Sequence, residues 1–372
     1  MSAYRFCRTD DIALLVDALN RCWAPYFPDG MPVTPGAFKR SIRDLQVWCS
    51  SCMVAFEGPD PIGVLIGAKR SSGTLVHRIA VHPDHRRQGH GRHLLTSLGS
   101  KLAILGPPRI VGEVPETLAP ACELFRSSGY VQEAALTDYV LEEGVGGKRP
   151  GPANERAEAS EPRERSGDTG VPASERVGGA AGANPPGLEM SARFVIPVTV
   201  DDLSANGLLG DGDPPVCWER SVETLTARKD DIAGLAVASD DRIEAYVLYV
   251  RHGVGPAAFA PEALRRARPK PWRRPEGNAE AGPGASASTR GPHDAPCASW
   301  GGAAAEIVSL RPLVEDGGAR LERLLFRLSA QGMMTLRFPK VHPAEISKEL
   351  LETLGFRPAG GHLLYAARAR SD

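Results

Sequence analysis

At 372 residues the chain is long enough for two domains, and its 42% hydrophobic content can build cores, which excludes global disorder. A formal net charge of −1 argues against a dedicated nucleic-acid binder, and no apolar run approaches the roughly 20 residues that span a bilayer. Met1 to Phe6 lacks the apolar stretch of a signal peptide, and the seven Cys are odd in number and irregularly spaced, so reduced thiols in a cytoplasmic protein are expected.

In chain order, Tyr4 to Cys7 reads as a strand. Asp10 to Trp23 reads as a helix capped by Asp10 or Asp11, with Ile12, Leu15, Val16 and Leu19 at helical spacing. Pro35 to Leu45 is a second short helix. Met53–Glu57 and Ile62–Gly67 are strands joined by turn residues 58–61, and Leu75 to Val81 is a third. His93 to Leu105 is a helix stopped at Gly106-Pro107-Pro108. Arg109 to Val114 is a strand, Ala119 to Ser127 a helix ending at Gly129, and Ala135 to Leu141 a last strand. Cys49-Ser50-Ser51-Cys52 forms a lone CxxC without the second pair that a structural zinc site needs.

Residues 144–189 hold almost no large apolar side chains and are expected to form a disordered linker between a domain at 1–143 and one at 190–372. A Pro-, Gly-, Ala- and Arg-rich block at 253–302 reads as a disordered insertion in the second domain. Around it, strands at Ile232–Ala238, Ile243–Val250, Ala305–Leu310 and Met333–Phe338 and helices at Leu321–Leu328 and Ile346–Leu354 repeat the order of the first half. One fold copied twice is therefore expected. Cys217-Trp218 stands out as a segment able to reach a partner.

The segment from Leu75 to Arg92 carries the chemistry. It is a strand, a loop, a Gly-x-Gly turn and a helix start. Amides at a helix start lack intrahelical acceptors, glycine lets backbone approach a phosphate, and Arg86, Arg87 and Arg92 add positive charge. This is a diphosphate-binding turn. Five His between His77 and His93 straddle strand, loop and helix without metal-ligand spacing, so no metal is expected.

Arg86-Arg87-Gln88-Gly89-His90-Gly91, preceded by Val81-His82-Pro83, resembles the acyl-CoA signature of the GNAT N-acetyltransferase superfamily. The resemblance implies an α/β (α+β) architecture of tandem GNAT folds, each a mixed, mostly antiparallel sheet flanked by helices, with a degenerate second copy. It implies that backbone of Ile79, Ala80 and Val81 pairs with the pantetheine arm of acetyl-CoA. The pyrophosphate would lie on Arg86, Arg87, Gln88, Gly89, His90, Gly91 and Arg92, and the strand at Ile110–Val114 would diverge to admit the thioester. The activity implied is acetyl transfer to an amine acceptor, without nucleic-acid or membrane partners.

Such transfer needs a base, an oxyanion donor and an acid for the leaving thiolate. His77 and Glu113 are the candidate bases. Strand alternation places His77 on the face of Ile79 and Val81, and Glu113 ends the diverging strand. Glu116 is a further candidate; the alternatives are a structural His77 packed beside the sheet and a solvated strand-end carboxylate at Glu113. The family's usual Asn and Tyr are Leu118 and Phe125 here, so the usual acid is missing; Tyr130 and Tyr139 are possible substitutes. That departure leaves open a non-catalytic acyl-CoA sensor. In the second copy, Glu315 and Asp316 stand where a phosphate-binding loop would be cationic.

Overall fold

The computed structural model describes residues 2–27, 31–142, 194–210, 215–252 and 303–370. The expected linker at 144–189 and insertion at 253–302 lie outside the described residues. The first half runs β1 (Ser2–Phe6), α1 (Ile12–Cys22), α2 (Pro35–Leu45), β2 (Met53–Glu57), β3 (Asp60–Lys69), β4 (Thr74–Val81), α3 (His90–Leu105), β5 (Arg109–Pro115), α4 (Ala119–Ser127) and β6 (Val131–Glu142). The second runs β7 (Phe194–Val198), α5 (Val200–Ala205), α6 (Val222–Ala227), β8 (Ala233–Ala238), β9 (Ile243–His252), β10 (Ala303–Pro312), α7 (Gly318–Ala330), β11 (Met333–Val341), α8 (Lys348–Thr353) and β12 (Arg357–Arg368). Strand and helix follow in the same order in both halves.

Local sequence explains the element ends. Thr34 caps α2, its hydroxyl accepting from the Ala37 amide at 3.2 Å, with Pro35 pre-set for the first turn. Asp11 stands at the N-cap of α1 but makes no cap bond. Its carboxylate turns back to the Arg8 amide at 2.7 Å and to Arg5 at 2.8 Å. Gly129 and Gly355 adopt positive φ of 84° and 89° in the turns after α4 and α8.

The strands form one twelve-stranded sheet in the order β1-β2-β3-β4-β5-β12-β6-β11-β10-β9-β8-β7. Neighbours are antiparallel except β4–β5 and β10–β11. The two copies do not keep separate sheets. Their last strands are exchanged, so β12 pairs with β5 from Pro115↔His362 to Arg109↔Arg368, and β6 pairs with β11. The cores follow the strands. Tyr365 of β12 is buried in the cluster under α3 and α4, and Tyr139 of β6 is buried with the leucines of α7. Trp218 enters the cluster beneath α1 and α2. The expected boundary at 143 thus falls between elements whose packing is shared.

Candidate functional site

β4 and β5 pair only at Thr74↔Ile110 and Leu75↔Val111, then separate. Among the described residues, the β5-facing edge of β4 beyond Leu75, including Ile79, Ala80 and Val81, therefore has no strand partner on that side. The Val81 carbonyl accepts the Tyr26 hydroxyl at 2.6 Å. Arg86 donates through Nε to the same hydroxyl at 2.6 Å and lies 4.2 Å from the Tyr26 ring, anchoring the loop to the first half.

Two residues shape the turn. Arg87 has φ +62° and Gly89 φ +87°, left-handed conformations that aim successive amides to one side, and Gly89 caps α3. The amides of His90, Gly91 and Arg92 belong to the first turn and have no intrahelical acceptor. A Cβ on Gly91 would sit 3.0 Å from Leu124, so a small residue here lets α3 lie close to α4. Arg86, Arg87, Gln88, Gly89 and Arg92 are exposed. His90 differs from the expectation for its side chain. It is buried, with Nδ1 2.6 Å from the Tyr4 hydroxyl, so only its backbone faces the loop.

Strand alternation misplaces His77. A bulge in the β3–β4 pairing sets Arg78 opposite Ile66 and Val76 opposite Gly67, leaving His77 as the extra residue. Ile79 and Val76 pack toward α3, whereas Leu75 and Ala80 pack toward α1 and α2. Arg78 lies 5.6 Å from the Trp23 ring on that second face. His77 turns the same way, opposite Ile79, and feels Arg78, Glu219 and Lys340. Burial holds its pKa at about 3, with Arg78 pushing the same way, so it is neutral at physiological pH and a weak base.

Glu113 is on the same face but fully engaged. One oxygen accepts the Trp218 amide at 2.7 Å and the other the Lys340 ammonium at 3.0 Å. Lys340 also pairs with Glu219 at 3.1 Å. The Lys340 charge holds Glu219 at a pKa of about 2, so Glu219 stays anionic. His77 is therefore a weak base, and Glu113 is occupied by its two partners. A row of polar side chains instead crosses the sheet from His77 through Glu113, His362 and Asp138 to Lys340, with Glu219 above it. Glu219, Lys340 and His362 come from the second half.

Cys217-Trp218 does reach a partner, within the same chain. The Trp218 indole donates to the Leu45 carbonyl at 3.0 Å, and its ring lies 3.9 Å from the Arg70 guanidinium carbon. Arg70 in turn donates to Ser221 at 2.6 Å and to Thr224. This segment roofs the face of the first copy beside the open strands. Sequence reasoning missed Glu219, Lys340, Asp138 and His362, because they share a surface only through the exchanged strands.

On the opposite face Phe125 fills the space under Gly112, where a Cβ would come within 2.4 Å of its ring. It stacks on Tyr365 at 5.6 Å and meets Tyr130 edge-on at 5.0 Å. Burial pushes the Tyr130 and Tyr139 hydroxyls up, which disfavours both as thiolate acids. Cys49 and Cys52 are buried free thiols, raised in pKa by desolvation. Among the described residues no group of three or more His, Cys, Asp or Glu is placed to hold a metal ion, and no helix is long and apolar enough to cross a membrane.

Residues 48–132, spanning the open strands and the loop, match the profile of the acetyltransferase (GNAT) domain. No curated protein matches the chain by sequence. Among solved structures it is similar to a GCN5-related N-acetyltransferase from Sphaerobacter thermophilus, at 11% identity and a TM-score of 0.54 over 99% of this chain and 96% of that one. It is similar to a tandem GNAT protein from the clavulanic acid biosynthesis pathway, at 13% identity and 0.53 over 100% of both chains. A GCN5-related N-acetyltransferase from Anabaena variabilis ATCC 29413 matches at 9% and 0.54, over 100% of this chain and 73% of that one. The chain has the fold of a tandem GNAT protein, and its residues 48–132 match the GNAT domain.

Proposed function

We propose that this tandem GNAT chain is an acyl-CoA-dependent N-acyltransferase that moves acetyl from acetyl-CoA to an amine, with the donor bound by the first copy. The observation that carries the reading is the pairing of an unpartnered β4 edge with a left-handed, arginine-rich turn at the start of α3. Both features suit an extended pantetheine arm joined to a diphosphate. The amides of His90, Gly91 and Arg92, with the Arg86, Arg87 and Arg92 side chains, would hold the pyrophosphate, and Ile79 to Val81 would align the arm. Acetyl-CoA supplies an activated thioester carbonyl. No metal enters the proposal, and the expected place of work is the cytoplasm, away from membrane and nucleic acid.

Calorimetry on the full chain should show one acetyl-CoA site, and Arg87→Glu should weaken it at least ~10-fold by placing an anion in the turn. No heat at high micromolar acetyl-CoA would sink the proposal. The apolar Phe125 and the engaged Glu113 favour a second reading, an acyl-CoA sensor without turnover. Thiol release across a panel of amines separates the two, since a sensor binds but releases none.

A further inference from the structure

We propose that His362, oriented by Asp138, takes the proton from the acceptor amine, so that the last strand of the second copy completes the active site of the first. The proposal rests on the N-acyltransferase reading above. His362 is directly paired with Pro115 at the end of β5, two residues from Glu113 and on the same face of the sheet. Its side chain is 7% exposed and that of Asp138 8% exposed, and the Nδ1 to Oδ1 distance is 3.5 Å. Nδ1 has no hydrogen-bond partner, although it is buried. A proton on Nδ1 would answer the carboxylate and leave Nε2 as the acceptor. Asp138 is itself braced, since Oδ1 accepts the Lys340 amide at 2.9 Å.

Elimination points the same way. Glu113 has both oxygens occupied, and His77 and Glu219 are held at pKa values of about 3 and 2. A base must match its task to remove a proton at neutral pH, which His77 and Glu219 do not, and Glu113 has no oxygen left to accept one. Asp138 on β6 lies beside His362, Glu113 on β5 shares its face, Lys340 on β11 joins Glu113 to Glu219 in the roof, and the Glu116 carboxylate lies beside Gly361. Glu219 interacts electrostatically with both His77 and His362.

The chemistry balances without an added reagent. The acceptor ammonium gives one proton to His362 Nε2, and the freed nitrogen lone pair forms the C–N bond at the thioester carbonyl. The C–S bond breaks, its electron pair leaves on sulfur, and the nitrogen's second proton passes to that sulfur. His362 later returns its proton to solvent.

The test compares two small nucleophiles on the full chain, following thiol release from acetyl-CoA. Methylamine is protonated at neutral pH and must be deprotonated before it attacks, whereas hydroxylamine is largely uncharged and needs no base. His362→Gln should lower methylamine kcat/KM ~100-fold, while hydroxylamine changes less than ~3-fold. Asp138→Asn should lower methylamine kcat with KM retained, as expected for a positioning residue. Acetyl-CoA affinity, measured by calorimetry, should be the same in all three proteins and serves as the folding control. A parental methylamine kcat/KM in His362→Gln overturns the proposal. So does an equal loss with both nucleophiles, which would mark a structural role. If the parent binds acetyl-CoA but neither nucleophile releases thiol above buffer, the N-acyltransferase reading itself fails.

Discussion

The loop between β4 and α3 and its counterpart between β10 and α7 occupy the same place in two copies of one fold, yet only one suits a diphosphate. The first spans residues 82–89, turns through left-handed Arg87 and Gly89, and exposes Arg86, Arg87 and Arg92. The second spans only residues 313–317, and Gly317 is right-handed at φ −64° with a Cβ position 2.4 Å from Pro312. Its cation is spent internally. Arg320 bridges Glu244 at 2.9 Å and Asp316 at 2.5 Å, placing two carboxylates at the helix start. The second copy has the fold but not the turn, and it contributes to the first copy instead. It supplies β12, the Trp218 roof, Glu219 and Lys340.

The most severe way to break this comparison is to separate the copies. A fragment of residues 1–143 lacks β12 and Trp218, leaving one side of β5 unpaired and Phe125 without Tyr365. It should show no cooperative unfolding transition and no acetyl-CoA binding. A folded, binding-competent fragment would show that the second copy is dispensable. Next in size is Lys340→Met, which leaves Glu113 and Glu219 facing each other without a counter-charge. A loss of about 3 kcal/mol is expected by urea unfolding, at the low end for a broken buried pair because Glu219 is partly exposed.

The Lys340–Glu219 pair also sets a pH dependence. Lys340 lowers the folded-state pKa of Glu219 to about 2, below the ordinary carboxylate value, so the contribution is complete above the unfolded pKa and is lost as pH falls toward 2. Glu219→Gln should flatten the fall of the urea midpoint with acid over that window; an unchanged slope would remove Glu219 from the account.

Gly89→Val is expected to have a smaller effect. A β-branched residue at φ +87° costs about 1–2 kcal/mol, and acetyl-CoA affinity should fall ~10-fold as the amides move. The smallest effect should come from Asp316→Arg. Charge alone does not create the longer left-handed turn, so calorimetry should still count one acetyl-CoA per chain. A second site would mean that charge, not backbone, separates the two loops.

Much of this was legible in the residues. The motif at Arg86 to Gly91 marked the loop because its glycines and arginines act through local backbone and charge. The repeated element order followed from periodicity, and the ends moved only slightly, as with α3 starting at His90 rather than His93. Cys217-Trp218 stands out in the sequence as a segment able to reach a partner, but that the partner is the first half of the same chain is visible only in the fold. His77 failed for a specific reason, since one extra residue in a strand reverses every face assignment beyond it, and a bulge leaves little trace in an eight-residue strand.

The sequence by itself marked the loop proposed to hold coenzyme A and showed that one fold occurs twice, because turn conformations and periodic burial are local properties. Tertiary structure alone decided which copy owns the last strand. β6 and β12 each follow a helix and a left-handed glycine, and each is long enough to pair on both sides, so local pattern does not choose between neighbours. That choice brings His362 beside Asp138 and Glu113, in a polar centre where Lys340 bonds Asp138 and Glu113 from more than 200 residues further along the chain.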